Sequence, residues 1–222
     1  MNIYLLPIFA VFIGSLLIYL WRPKDLRSIK LLLAFSGAFL LGTTITSLIP
    51  SVFTNGNEDI SYWILAGIII QIMLEQLSKG AEHGHIHTSE KRIPMTLVIG
   101  LYLHALIEGF PIHKHNDLIW AIVIHKLPIA MLLTLAIWQT NFNFFKKVIV
   151  LIGFAIMTPL GSYLNFYTPI LQPYSLHITA LVVGLLLHIS TTILFESSEN
   201  HNFNISKLLV IVIGLGLSIV KH

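Results

Sequence analysis

Apolar residues run along this chain in eight blocks, separated by short polar connections. The blocks occupy residues 3–21, 31–53, 60–77, 94–113, 118–138, 148–167, 175–195 and 205–220. A helix needs about 20 mostly apolar residues to cross about 30 Å of hydrocarbon. Glycine, serine and threonine are interspersed through the blocks, and such small residues let membrane helices approach closely. The pattern predicts an all-α polytopic membrane protein with eight transmembrane helices.

The cations between the blocks indicate an orientation. Of the 13 Lys and Arg residues, Lys126 lies inside a block, and Lys114 and Lys221 follow the even-numbered blocks. Cytoplasmic loops of membrane proteins carry an excess of Lys and Arg. The bias therefore predicts that both termini are extracytoplasmic and that the odd-numbered loops are cytoplasmic. The cations assigned to those four loops are Arg22, Lys24, Arg27, Lys30, Lys79, Lys91, Arg92, Lys146, Lys147 and, at the start of the eighth block, Lys207.

Composition supports a single membrane domain over residues 1–222. Hydrophobic residues make up 55% of the chain and charged residues only 10%, against about 25% charged in soluble domains. The lipid bilayer is therefore its expected solvent, and the positive charge at the loops gives no reason to expect a nucleic-acid partner. The absence of cysteine excludes disulfides and Cys-ligated zinc. An N-terminal block with no preceding cation is expected to be an uncleaved anchor.

Four polar side chains fall within the fourth and fifth blocks, where burial in lipid is costly and a functional role is the default hypothesis. His104 and Glu108 are spaced i, i+4 and share a helix face, and His125 and Lys126 lie in the next block. At about 1.5 Å per residue, the His and Glu side chains reach a similar depth, slightly outside the midplane. Two imidazoles and one carboxylate suit a divalent metal such as zinc.

These residues also permit simpler interpretations. A membrane histidine can hydrogen-bond a neighbouring helix, and Glu108 with Lys126 can form a buried ion pair that only joins two helices. A proline removes one helix hydrogen bond, and the spans contain Pro111, Pro128 and Pro159 near or after these residues. The carbonyls that lose a partner could line a hydrated ion path, or the prolines could produce kinks with a purely structural role. The residues by themselves leave these alternatives open.

Two motifs resemble those of the ZIP family of metal transporters. The segment His104-Ala105-Leu106-Ile107-Glu108-Gly109 is similar to the family's His-x-x-x-Glu-Gly motif in the fourth span. The segment His125-Lys126-Leu127-Pro128 is similar to its His-x-x-Pro motif in the fifth. Each motif is weak alone, and their order and placement in the spans make the resemblance specific.

Three further segments extend the resemblance over most of the chain. Residues 37–50 resemble the family's glycine-rich second span, and residues 74–76 (Leu-Glu-Gln) precede a His-rich loop, as they do in the family. Residues 158–161 (Thr-Pro-Leu-Gly) resemble the family's Glu-Pro-Leu-Gly. The resemblance implies eight spans, extracytoplasmic termini and transport of divalent cations by alternating access.

The chain departs from the family at a second metal position. Family members with two metals place an Asn, an acidic residue and two Glu side chains there. The positions hold Ala105, Lys126, Ile129 and Thr158 here, and Ser47 stands where many members have a His. The resemblance therefore implies a single-metal variant of bacterial type. Its site is His104, Glu108 and His125, completed by water or a backbone carbonyl.

The sequence leaves more than one role open for several other side chains. Lys126 is expected to modulate the site by replacing the second metal's charge beside Glu108, unless it points away and reaches water. His188 is either a relay ligand or the partner in an interhelical hydrogen bond. In the cytoplasmic loop at about residues 78–93, a His-rich cluster predicts weak metal capture or sensing, against a plain solvated loop. The cluster comprises His83, His85 and His87.

The expected function is uptake of Zn²⁺, or of Fe²⁺, Mn²⁺ or Cd²⁺, into the cytoplasm across a bacterial inner (plasma) membrane. The metal is cargo, and no prosthetic group is expected. An intramembrane metalloprotease is disfavoured because no His-Glu-x-x-His motif occurs, so the chain is not expected to be an enzyme. A non-transporting metal sensor of the same fold is the alternative, and a homodimer is compatible with either.

Overall fold

The computed structural model describes residues 5–21, 23, 25–56, 58–78, 80, 95–196 and 205–220, except the side chains of Asn116 and Glu196. All regular structure in these ranges is helical. The α-helices are α1 (Leu5–Trp21), α2 (Arg27–Thr43), α3 (Ile49–Asn55), α4 (Ile60–Ser78), α5 (Met95–Gly109), α6 (Asn116–Trp138), α7 (Phe144–Tyr167), α8 (Ser175–Glu196) and α9 (Ile205–Val220).

The eight predicted spans are present at the expected positions, which confirms an all-α polytopic membrane protein. Six helical segments of 19–29 residues are long and apolar enough to cross a membrane. The first and last spans, α1 and α9, are shorter apolar helices of 17 and 16 residues. Apolar side chains also cover the outer surface, where Phe12 is 63% exposed, as expected for a chain whose solvent is lipid.

The second span is one helical segment whose hydrogen bonding changes near its end. A π-turn at Thr44–Leu48 joins α2 to α3, and the Ile49 N–H donates to the Thr44 carbonyl, five residues back. Pro50 follows directly and has no N–H to offer the Thr46 carbonyl. The wider turn accommodates that interruption, as single π-turns do within α-helices.

The fourth span also changes form, at the end that carries the polar motif. The α-helical part, α5, ends at Gly109, and a 3₁₀-helix continues through Phe110–His113 with a proline near its start. The side chain of Asn165 on α7 donates a 2.9 Å hydrogen bond to the Phe110 carbonyl. A carbonyl of this tightened turn thus has a partner within the protein, as backbone groups in a membrane require.

Glycines set the closest helix contacts. The principal packed pairs are α4 with α8, α2 with α9, α1 with α6, and α5 with α7. A Cβ atom at Gly184 on α8 would overlap the Ile64 carbonyl oxygen, and one at Gly67 on α4 would overlap that of Leu181. The α4 and α8 backbones therefore pack directly against each other, in the small-residue mode of membrane helices.

We expect Gly184→Ala to destabilise the protein although alanine is the better helix former. The added methyl group meets a backbone carbonyl that cannot rotate away, and such overpacking typically costs about 1–3 kcal/mol. Gly216→Ala is the matched control because nothing lies within 4 Å of its Cβ position. Thermal unfolding in detergent should show a lower midpoint for Gly184→Ala only. An unchanged midpoint for that variant would contradict direct backbone contact between α4 and α8.

The α5 and α7 helices approach each other in the same way, directly beside the polar residues. A Cβ at Gly109 would overlap the Thr158 carbonyl oxygen, and one at Gly161 would overlap that of Leu106. The close approach brings the α7 side chain of Thr158 against the α5 side chain of Glu108. Helix α6 is the most enclosed of the six long spans, so its polar side chains also face the protein interior.

Candidate metal centre

The four polar side chains of the fourth and fifth spans lie together inside the helix bundle. His104 and Glu108 project from α5, and His125 and Lys126 project from α6, each exposing no more than 2% of its surface. The similar depth estimated from the sequence is consistent with this placement. The side chains of these residues are therefore withdrawn from lipid and directed at one another.

Glu108 is at the centre of the cluster. Its Oε1 atom accepts a 3.1 Å hydrogen bond from the Lys126 ammonium, and the two groups form an ion pair. Its Oε2 atom lies 3.3 Å from His104 Nε2, one helical turn earlier on α5. Of the two geometries left open for Lys126, the structure has the one in which the ammonium faces Glu108.

Helix α7 completes the surroundings of the ammonium. Lys126 Nζ donates to Thr158 Oγ1 at 2.5 Å and lies 4.3 Å from the centre of the Phe154 ring. The Thr158 oxygen is 2.8 Å from Glu108 Oε1 and 3.0 Å from the Ala105 carbonyl oxygen. A carboxylate, a hydroxyl and an aromatic face thus compensate the buried cation.

Each imidazole has a side-chain oxygen at its Nδ1 atom. His104 Nδ1 is 3.3 Å from Gln71 Oε1 on α4, and His125 Nδ1 is 3.4 Å from Ser36 Oγ on α2. The Ser36 hydroxyl donates to the Leu33 carbonyl at 2.9 Å, so it is placed to accept from His125. Protonation at Nδ1 presents Nε2 as the metal-binding nitrogen, and metal-ligating histidines ordinarily have such an outer hydrogen bond.

The side chains do not form a closed metal cage in this conformation. Throughout the part of the chain that the structure describes, no group of three or more His, Asp or Glu side chains is arranged to hold an ion. The His104 and His125 ring centres are 6.3 Å apart. Two imidazoles on one tetrahedral zinc, with Zn–N bonds of about 2.0–2.1 Å, would have ring centres roughly 5 Å apart. Binding of one zinc by both rings would require the two imidazoles to move closer together, whereas Glu108 Oε2 already faces His104.

The structure gives the seventh-span histidines carboxylate partners, one on α4 and one directly before it. His188 Nε2 is 2.8 Å from Glu75 Oε2, and His177 Nε2 is 3.1 Å from Asp59 Oδ2. Of the two roles open for His188, the geometry favours the interhelical contact, since its nitrogen is already engaged across the α4–α8 pair. The two contacts join α4 and α8 near both ends of their glycine-mediated packing.

Gln71 and Ser36 were not predicted from the sequence as partners of the candidate ligands. Gln71 is buried in an apolar helix, four residues before Glu75, and that polar pair at i, i+4 was a usable signal. Ser36 lies among the small residues of the second span and gave no comparable signal. The predicted cluster of His83, His85 and His87 lies outside the described residues.

A pocket of about 300 Å³ lies at the end of the bundle where the 3₁₀ turn meets the start of α8. It is lined by Ser51, Asn55, Lys114, His115, Ser175, Leu176 and Thr179. Burial lowers the pKa of His115, and the neighbouring Lys114 lowers it further, whereas Asp117 acts in the opposite direction. A neutral imidazole at neutral pH follows.

Comparison with known families gives a match over most of the chain. Residues 75–220, about two-thirds of the 222 residues, match the family model described as ZIP Zinc transporter. The matched region begins within α4 and includes the whole of α5 and α6, and therefore all four residues of the cluster. No curated protein matches the chain.

Proposed function

Because the chain belongs to the ZIP zinc transporter family, a family of divalent-cation transporters, we propose that it carries Zn²⁺ into the cytoplasm through the His104, Glu108 and His125 site. The observation that carries this proposal is the convergence of two buried imidazoles and one buried carboxylate from adjacent spans. Two nitrogens and a carboxylate oxygen form a common zinc ligand set, with a fourth position left for water. Iron, manganese and cadmium are alternative cargoes.

The outer hydrogen bonds define the ligand roles. Gln71 and Ser36 fix the ring orientations of His104 and His125 through Nδ1, so the Nε2 atoms provide the nitrogen ligands. Glu108 provides the oxygen. It is already oriented towards His104 by the i, i+4 spacing and held by Thr158 on its other side. Outer partners of this kind tune metal affinity by about 10–100-fold.

Lys126 acts as an internal counter-ion to Glu108. Its ammonium neutralises Glu108 at 3.1 Å and contacts Thr158, whose hydroxyl in turn contacts the Ala105 carbonyl. Thr158 and Ala105 are two of the positions that resemble the second metal position of the family. An incoming Zn²⁺ meets a carboxylate whose negative charge Lys126 already offsets. A fixed cation at this place also repels a second ion, which limits the site to one metal.

Transport is proposed to follow alternating access. In this scheme α1, α5, α6 and α7 move as one group against a frame of α2 to α4, α8 and α9. The packing supports such a division because α1 packs with α6 and α5 with α7, while α4 packs with α8 and α2 with α9. The candidate site lies between the two groups of helices. Gln71 and Ser36 belong to the frame, whereas the ligands His104, Glu108 and His125 belong to the moving helices.

Uptake of radioactive zinc by proteoliposomes tests the function. A carrier fills vesicles with metal above the level of protein-free vesicles, whereas a metal sensor of the same fold binds without accumulation. Zinc bound by the protein but not released inside the vesicle would support the sensor. For both a carrier and a sensor, we propose that the loop with His83, His85 and His87 captures metal at the cytoplasmic face. We also propose that the protein resides in a bacterial inner membrane.

The proposed direction requires both termini outside and the His-rich loop inside. The chain has no cysteine, so single cysteines can report exposure to an impermeant reagent in intact cells. We expect Glu58→Cys, an exposed position between α3 and α4, to be labelled, and His85→Cys to be labelled only after cell lysis. Gly56 is a poorer reporter because its Cβ position is occupied by Ile60. The reverse labelling pattern would overturn the orientation.

A further inference from the structure

A second pocket lies at the opposite end of the bundle from the pocket beside the 3₁₀ turn, between the ends of α1 and α6. It has a volume of about 320 Å³ and is lined by Ile18, Tyr19, Pro23, Leu135 and Trp138. This volume is at the lower end of the range for ligand pockets. The pocket lies far along both helices from the candidate metal site, within one turn of Trp21 and Trp138, where α1 and α6 end.

The lining changes character along the membrane normal. Ile18 and Leu135 form the deeper, apolar part, and Tyr19 and Trp138 form the rim with their rings edge to face at 6.1 Å. Trp and Tyr prefer the level of lipid headgroups, because their rings are apolar and their tips are polar. The pocket therefore spans from acyl-chain depth to headgroup depth.

A cation is held at the aromatic rim. Lys147, in the first turn of α7, donates to the Trp138 carbonyl at 3.2 Å and lies 5.5 Å from the centre of the Trp138 ring. One N–H of the ammonium is used in this bond, and an ammonium has three donors. The start of α7 adds the positive end of a 24-residue helix.

The neighbouring residues place this cation at the membrane surface. Phe144 and Phe145 directly precede the lysine pair and are each 70% exposed, as expected for rings inserted among lipids. The nearest acidic residue along the chain from the pocket, Asp25, accepts the Arg27 backbone N–H at 2.9 Å and does not line the pocket. Lys147 thus places positive charge beside Trp138, one of the residues that line the largely apolar pocket.

From this arrangement we propose that the pocket binds one anionic phospholipid. The headgroup phosphate accepts hydrogen bonds from Lys147, the glycerol region contacts Tyr19 and Trp138, and one acyl chain enters between Ile18 and Leu135. The occupant is a lipid rather than a soluble anion because the pocket beside the cation is lined mainly by the apolar side chains of Ile18 and Leu135 and by two aromatic rings. The site is independent of metal binding and joins α1, α6 and α7.

Thermal unfolding of the purified protein in detergent tests the proposal. Phosphatidylglycerol should raise the midpoint more than phosphatidylethanolamine with identical acyl chains, and inorganic phosphate should not raise it. Lys147→Gln should weaken the phosphatidylglycerol response by about fivefold in apparent affinity, which corresponds to about 1 kcal/mol for one lysine at an anionic surface. Lys146→Gln is the matched control, since the adjacent side chain points about 100° away around the helix.

A second variant tests the recess without changing charge. Leu135→Trp should fill the deeper part of the pocket and remove the selective response to phosphatidylglycerol while leaving Lys147 in place. Equal stabilisation of the wild-type protein by both lipids would overturn the proposal. It would also be overturned by an equal effect of both lysine variants, by a full response to inorganic phosphate, or by an unchanged response of Leu135→Trp.

Discussion

His104→Ala and His125→Ala should each lower zinc uptake by proteoliposomes by at least about tenfold while the protein still inserts and folds. Tenfold is the lower end of the effect of removing even an outer partner of a metal ligand, and these variants remove a ligand itself. Both imidazoles are buried beside Glu108 or its partners. Their loss leaves a cavity and no unpaired charge, so the variants should remain folded.

The Glu108 variant needs a different design because the structure pairs this carboxylate with a buried lysine. Glu108→Ala alone leaves Lys126 as an uncompensated buried cation, a change that typically costs about 3–5 kcal/mol. The double variant Glu108→Ala/Lys126→Met removes both charges and should fold but not transport. Loss of uptake in both the single and the double variant would show that Glu108 is needed as a ligand, because the double variant has no uncompensated buried charge.

A histidine outside the site provides the control for the single variants. His177→Ala removes an imidazole that pairs with Asp59 at one end of α8 and should keep uptake near the wild-type rate. If any two of the variants at 104, 108 and 125 transport like the wild type, the proposed site is wrong. The metal would then have to cross the bundle by another path.

Lys126→Met should increase the affinity for zinc at least about tenfold, with one metal bound in the wild-type protein. Tenfold corresponds to about 1.4 kcal/mol. Two unit charges 4 Å apart interact by roughly 4 kcal/mol at an effective dielectric constant of about 20, so the expected change is modest. The cause is removal of a cation that offsets the charge of Glu108 at 3.1 Å and repels the ion. Methionine retains much of the lysine volume.

Calorimetric titration of the purified protein gives affinity and stoichiometry together, and the pH profile of uptake provides a third readout. Lys207→Met is the control, because that ammonium donates to the Leu194 carbonyl at 2.7 Å, on helices that do not carry the candidate ligands. We expect it to leave zinc affinity unchanged. If affinity, stoichiometry and pH profile of Lys126→Met all match the wild type, the counter-ion proposal fails and Lys126 only joins α5, α6 and α7.

The spans could be predicted from sequence because membrane helices need long apolar runs, and this requirement does not depend on tertiary packing. Their ends agree with the structure within a few residues, and the last span, Ile205–Val220, agrees at both ends. The π-turn before Pro50 was not predicted. Proline indicates that a hydrogen bond is lost, but how the helix absorbs that loss depends on the surrounding chain.

Side-chain partners on other helices were less predictable. The contact between His104 and Glu108 follows from their spacing on one helix. The partners Gln71 and Ser36 depend on how α4 and α2 are rotated about their axes. Helices that are apolar on most sides carry little information about that rotation, because lipid and protein interior are both apolar. Glycines indicated close contacts, but the sequence did not specify which helices they would join.

The Lys126–Glu108 ion pair bears on the electrical cost of the proposed transport cycle. With these two side chains paired, the site contributes no net formal charge, so under this proposal the membrane potential does no work when the carrier returns without metal. The loaded site carries the two charges of Zn²⁺. Each charge moved across 100 mV is worth about 2.3 kcal/mol, so an inside-negative potential would drive inward movement of the loaded carrier alone. Zinc counterflow and net uptake at a clamped potential would distinguish the two half-cycles.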